Sequence, residues 1–341
     1  MATIRTVLGD IDADSIGYAL THEHLRYAYN GCQIDHRQVW DYEAEAAEIA
    51  EAVALGKAYG IDLLVDMSTI DIGRHPAFIA EVARKSGVHV VACSGFFPED
   101  QAIGIPYYWR RQSPEYIAEL LVADIREGMV HDGRLTPYKA GILKASTGGL
   151  RRGTFEPNEK GRRIGPVEEK VLKGVAIAQR ETGVAVNTHT QPADYAICNP
   201  GVELLEALEE GGADPTRVIV GHAFVHPDLE QLTAICARGA ALQIDHIGIP
   251  WQNDSAEALD EMIAEAVCRL ADAGYLDRLL FSYDRFFKYV RGPLEPPDLT
   301  NEEVPIGYIF ESFAPRLRRK GFGDAELRQV LVENPRRFLG F

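Results

Sequence analysis

Eight short apolar runs alternate with helix-patterned segments along this chain of 341 residues. That alternation does most to limit the folds open to it. The runs fall near residues 17–20, 63–67, 88–93, 140–144, 184–189, 217–222, 240–244 and 278–282. They are continuous rather than alternating, as parallel strands covered on both faces should be. Between them, apolar residues recur at helical spacing over 42–59, 76–85, 114–129, 166–182, 200–210, 228–238 and 255–273. Ser113 reads as an N-cap followed by proline at the first helical position, and Gly87 and Gly183 read as helix stops. The pattern predicts an α/β chain, a (β/α)8 TIM barrel forming a single domain over residues 1–341. A short N-terminal β-hairpin is expected from 4–8 and 16–20, and extended loops after strands seven and eight. An open doubly wound sheet is the alternative. No Gly-x-Gly-x-x-Gly stands between the first strand and helix, which weakens a dinucleotide-binding version of it.

The ends of these runs carry the chemistry. The first leads into Thr21-His22-Glu23-His24-Leu25. In an extended chain, residues two apart point to one face, so His22 and His24 can present two imidazoles to one point while Glu23 faces away. Side-by-side neutral imidazoles suit a divalent metal. The pair alone is a weak signal, because half-buried histidines are common. Lys144, His189, His222 and Asp284 strengthen it, since each closes another apolar run. In a barrel the catalytic groups gather at the C-terminal strand ends. Lys144 is the unusual member, because a protonated amine repels a cation. Either it pairs with a carboxylate, or its desolvated amine has added carbon dioxide to give a carbamate, an anion able to bridge two metals. The residues alone leave both readings open.

Several classes of function fall away. A net charge of −16 with no basic block argues against nucleic acid. The five cysteines are scattered and odd in number, with no Cys-x-x-Cys pair, which fits a reducing, cytoplasmic setting without disulfides. The N-terminus shows no signal-peptide pattern, and no run of about 18 apolar residues predicts a membrane span.

Taken together, Thr21-His22-Glu23-His24-Leu25, Gly141-Ile142-Leu143-Lys144, Asn187-Thr188-His189-Thr190, Val220-Gly221-His222 and Ser282-Tyr283-Asp284 resemble the ordered motifs of the phosphotriesterase family, within the amidohydrolase superfamily. The closing Glu333-Asn334-Pro335-Arg336-Arg337-Phe338-Leu339 is similar to that family's C-terminal signature. The resemblance covers nearly the whole chain. It implies a binuclear metal hydrolase with two divalent ions, zinc first, with manganese, cobalt or iron as alternatives. His22, His24 and Asp284 would hold the more buried ion, and His189 and His222 the more exposed one. Carbamylated Lys144 (N6-carboxylysine) and a hydroxide would bridge them. The hydroxide would attack a carbonyl carbon or phosphorus, with Asp284 taking its proton. The family also implies a homodimer.

Substrate choice in such a barrel sits in the loops. Candidate pocket residues are Phe96, Phe97 and Trp109 after strand three, His246 and Trp251 after strand seven, and Arg285, Phe286 and Phe287 after strand eight. An apolar, aromatic mouth suits a small neutral molecule such as a lactone or carboxylic ester. The alternatives are an organophosphate triester or an amide on the same centre, or a family member that binds without turnover. Two departures from the family's lactonase pattern stand out. Phe96 and Phe97 occupy the place of an aromatic hydroxyl, and Asp245-His246 replaces an Asp-Arg pair. A basic loop, with Arg151, Arg152, Lys160, Arg162 and Arg163, reads as a solvated surface or an anion contact. The remaining histidines, among them His226, read as supports.

Overall fold

The structure is a computed structural model describing residues 2–37, 40–99, 104–148, 156–225, 227–250, 254–290 and 303–341. Trp251, His226, Arg151 and Arg152 lie outside these residues. Eight parallel strands form the centre: β1 (Tyr18–His24), β2 (Ile61–Asp66), β3 (His89–Gly95), β4 (Ile142–Ser146), β5 (Val186–His189), β6 (Val218–Val220), β7 (Ala241–Ile244) and β8 (Leu279–Phe281). They are hydrogen-bonded in sequence order. The chain just beyond β8, Arg285–Phe286, pairs in parallel with β1 opposite Glu23 and His24. The Asp284 amide also donates to His22 O at 3.0 Å. The sheet therefore curls until its last strand's continuation meets its first, giving a barrel-like layer.

Among the described residues seven helices of nine residues or more cross between strands: α1 (Tyr42–Ala54), α2 (Pro76–Ser86), α3 (Pro114–Arg126), α4 (Pro166–Thr182), α5 (Pro200–Glu210), α6 (Leu229–Ala237) and α7 (Ala256–Leu270). Their starts are written locally. Asp41, Ser113, Asn199, Asp228 and Ser255 each accept from a backbone amide of the first turn. Proline at the first position of α2 to α5 adds a preset φ.

Alternation along each strand sorts the core into two layers. Leu64, Val90 and Ala92 join the large cluster between sheet and helices. Leu63, Val65, Val91 and Cys93 point into the barrel with Ala19, Ala185 and Ala241. Ile4 and Phe338 belong to this inner cluster, so its lower end is packed shut. The C-terminal signature ties that end. Asn334 Nδ2 donates to the carbonyls of Leu276 and Leu279, and Arg336 donates to Ile16 O. Above the apolar layer, Thr21, Asn187 and Gln243 form a buried polar layer linking β1, β5 and β7.

The N-terminal hairpin differs from expectation in its second strand. Thr3–Thr6 pairs antiparallel with Gly9–Asp12. Residues 16–20 instead enter β1, because Ile16 and Ala19 are drawn into the inner core. Among the described residues all five cysteines are free, and no helix is long and apolar enough to cross a membrane.

Candidate metal centre

Six side chains expected at strand ends converge on one cavity of about 190 Å3: His22, His24, Lys144, His189, His222 and Asp284. Apart from His189, which is half-buried, all are buried. β1 presents His22 and His24 on one side, with ring centroids 5.8 Å apart. Asp284 Oδ1 lies 3.2 Å from His24 Nε2 and 3.7 Å from His22 Nε2. The His22, His24 and Asp284 donor atoms all lie within 4.8 Å of one another, close enough to share one cation. Across the cavity, the His189 and His222 rings stand 4.5 Å apart, and His22 to His222 is 5.1 Å.

Lys144 stands between the two groups, its Nζ 3.2 Å from His22 Nε2 and donating to Thr188 O at 3.4 Å. Among the described residues no carboxylate stands within ion-pair distance of it, though Asp284 and Asp245 act on its charge from farther away. Burial pushes its amine down to about 8. A buried lysine without a carboxylate partner is a poor place for a positive charge and a good one for a neutral nucleophile.

The protonation states suit cation binding. Burial, then the neighbouring Lys144 charge, drives His22 well below the usual imidazole range. Burial does the same to His189, with His222 adding to it. Both are neutral at pH 7, as a metal ligand must be. Burial raises the Asp284 carboxyl, but the hydrogen bond from His24 and the facing imidazoles outweigh it, leaving it below the usual range. Among the described residues, buried His22 Nδ1 has no hydrogen-bond partner. Four imidazoles and one carboxylate around one cavity, two of the imidazoles neutral, fit divalent cations.

Two buried carboxylates were not singled out by the ligand pattern. Asp245, at the end of β7, accepts from the His222 amide at 3.0 Å and approaches His222 Nδ1 and His246 Nδ1, each at 3.1 Å. Burial raises its carboxyl, yet the His222 and His246 contacts hold it well below normal. His222, Asp245 and His246 form a second group with cation-holding spacing. Asp245 therefore sits against His222; the sequence marked it only as a strand-seven loop residue paired with His246, not as a partner of His222. Glu23 faces away from the cavity, as expected. Its Oε1 accepts from Ser282 Oγ and the Tyr283 amide, and its Oε2 from the Arg285 amide. It clamps both sides of Asp284. His222, His246 and Asp284 all adopt left-handed backbone, at φ 62°, 59° and 57°.

Of the expected pocket residues, Phe97 and Phe286 line the cavity. His246 comes close, with its Nε2 3.9 Å from Asp284 Oδ2. Phe96 does not line it. Adjacent residues of an extended segment face opposite ways, and Phe96 turns into the helix-side core, where Trp109 packs on it. Arg285 lies over Phe287, which packs against the same core, so neither is on the cavity wall. The walls instead gain Tyr27 and Tyr29 from the loop after β1. In the basic loop, Lys160 and Arg162 pair with Glu210, and Arg163 with Glu203. None of these three is left to hold a substrate anion.

The sequence pattern of the phosphotriesterase family matches residues 2–339. A "phosphotriesterase homology protein" of Escherichia coli is 30% identical, covering 95% of this chain and 98% of that protein. An "aryldialkylphosphatase" of Saccharolobus solfataricus is 28% identical, covering 96% of each chain. A solved structure described as organophosphate hydrolysis activity engineered from a weak promiscuous lactonase template superposes with a TM-score of 0.83. It is 27% identical and covers 99% of this chain and 100% of that one.

Proposed function

The chain belongs to the phosphotriesterase family, and from that premise we propose that it is a binuclear, metal-dependent hydrolase of lactones or carboxylic esters. The proposal treats residues 1–341 as one (β/α)8 barrel domain. The carrying observation is the convergence of His22, His24, Lys144, His189, His222 and Asp284 on one small buried cavity. His22, His24 and Asp284 would hold one divalent ion, His189 and His222 the other, with Lys144, as its carbamate, between them. Bound there, the ions supply Lewis-acid activation of water and of the substrate's carbonyl or phosphoryl oxygen.

The chain's own residues do the rest. Asp284, ionised and fixed by the clamp of Glu23 on its flanking amides, accepts the attacking water's proton and returns it to the leaving oxygen. Asp245, 3.1 Å from His222 Nδ1, would orient that ring toward the second ion. Tyr27, Phe97 and Phe286 narrow the cavity and exclude bulk water. Beyond the six candidate ligands the described walls are aromatic, with no arginine. Such a surface favours a neutral substrate, which supports lactones and esters.

A second reading, organophosphate triester hydrolysis, is supported by the names of the relatives, and an amide substrate would use the same centre. The test is metal content with a hydrolysis panel on one preparation: γ- and δ-lactones, an aryl ester, an N-acyl amide and a phosphotriester. Two metal equivalents with preference for a lactone or ester support the proposal. Two equivalents with preference for the phosphotriester select the second reading. No metal and no turnover after reconstitution with divalent ion and bicarbonate would sink both.

A further inference from the structure

We infer that Tyr29 contacts the substrate and donates a hydrogen bond to the leaving-group oxygen as the ester or lactone bond breaks. The inference rests on the hydrolase reading above. Among the described residues lining the metal cavity, hydroxyls come from Tyr27 and Tyr29 alone. Phe97, the strand-three residue on the same wall, brings none. Tyr27 is held in place: it stacks on Phe286 at 4.6 Å and meets His24 edge-on at 5.3 Å. Its hydroxyl donates to Tyr29 Oη at 3.2 Å. That bond uses the Tyr27 proton and leaves Tyr29 with its own, for which no acceptor is present among the described residues. A phenol that accepts one hydrogen bond becomes a better donor of the next, because the chain polarises. Tyr29 is thus a primed donor in the wall of a cavity that needs one.

Its position says which oxygen it meets. Tyr29 borders two cavities: the metal cavity of about 190 Å3 and a larger one of about 500 Å3, also walled by Trp40, Ile70, His75 and His131. The smaller lies below the ~300–1,000 Å3 usual for small-molecule sites. We place the reacting end of the substrate on the metal donors and the rest of it on the side of Tyr29 where the larger cavity lies. On that placement the leaving oxygen, which joins the two parts of the substrate, is the atom that Tyr29 would meet. As the C–O bond breaks, its electron pair stays on the leaving oxygen, and a hydrogen bond there strengthens toward the transition state. The proton that finally settles on this oxygen is the one carried by Asp284.

The experiment compares wild type with Tyr29→Phe, both reconstituted with zinc and bicarbonate. Substrates are acetate esters running from ethanol to 4-nitrophenol as leaving group, with γ-butyrolactone alongside. Removing the donor should lower kcat/KM by ~10–100-fold for the ethyl ester and lactone. The 4-nitrophenyl ester, whose leaving oxygen needs little help, should change by less than ~3-fold. Metal content and melting temperature should match wild type, which separates loss of a donor from loss of structure. Tyr27→Phe, which keeps the donor but removes its support, should show the same dependence at smaller size. An equal loss across the series, or none, overturns the inference while leaving the hydrolase reading intact. Wild-type inertness toward every ester and lactone overturns both.

Discussion

Withholding carbon dioxide tests the proposed carbamate at Lys144 most directly. In water a lysine amine near 10.5 is neutral at pH 7 in only ~1 molecule in 3,000. Burial moves Lys144 to about 8, which makes it neutral in ~1 in 10 at that pH. The fold therefore enriches the neutral amine ~300-fold, which is the form that addition of dissolved carbon dioxide requires. Protein stripped of metal and equilibrated in carbon-dioxide-free buffer should recover activity slowly with zinc alone and quickly with zinc plus bicarbonate. 13C-bicarbonate should leave one carbamate carbon signal, absent in Lys144→Met. Stability carries the same signature. In the stripped protein the folded amine titrates at about 8 and the unfolded one at 10.5. The unfolded chain thus binds more protons between these values, so stability should rise with pH across that window, by ~3 kcal/mol in all. Urea titrations at pH 7.5 and 10.5 read this directly, and Lys144→Met should flatten the slope. Zinc uptake and turnover indifferent to bicarbonate, with Lys144→Met as active as wild type, would refute the reasoning.

Other perturbations separate the remaining parts. Asp284→Asn should keep the fold by circular dichroism and lower turnover by ~10²–10⁴-fold, through loss of the proton acceptor; wild-type turnover would remove Asp284 from the chemistry. Glu23→Gln places an amide N–H₂ against donors that Glu23 now accepts from. It should cost ~1–3 kcal/mol in urea unfolding and weaken zinc binding, since Asp284 loses its clamp; unchanged zinc affinity would mean the clamp does not position Asp284. Gly95→Ala brings a Cβ to 2.1 Å from Lys144 O. It should lower stability by ~1–3 kcal/mol or more, because backbone rather than a movable side chain stands in the way; an unchanged melting temperature would contradict the packing described here.

What could be read beforehand was whatever has a period or a fixed offset. Strand runs such as 63–67 and 88–93 are apolar on both faces and so announce themselves, and His22 and His24 two apart declare one side. The helix ends were marked by Ser113, Pro114, Gly87 and Gly183, whose backbone roles are local. Contacts set by tertiary direction were hidden. Phe96 and Phe97 look interchangeable in the sequence, yet one enters the core and the other the cavity. Asp245 reads as a loop residue until β6 and β7 lie side by side and bring it beneath His222. Tyr27 and Tyr29 gave no sign, since nothing local says that the loop after β1 folds over the cavity mouth. The hairpin pairs Thr3–Thr6 with Gly9–Asp12 for a related reason: residues 16–20 have strand character, but the inner core claims Ile16 and Ala19.

The left-handed backbone at the ends of β6, β7 and β8 has an outcome for laboratory evolution. Each such non-glycine residue is disfavoured by ~1–3 kcal/mol relative to an ordinary conformation, and His222, His246 and Asp284 all carry it. Glycine at any of the three would relax the chain and erase a functional side chain at one stroke. At His222 and His246 that gain is outweighed by the buried Asp245 carboxylate left short of a partner, so a library sorted on heat resistance alone should keep both histidines and leave their strained backbone in place. A sort that also demands turnover should hold all three positions fixed and find its stability elsewhere.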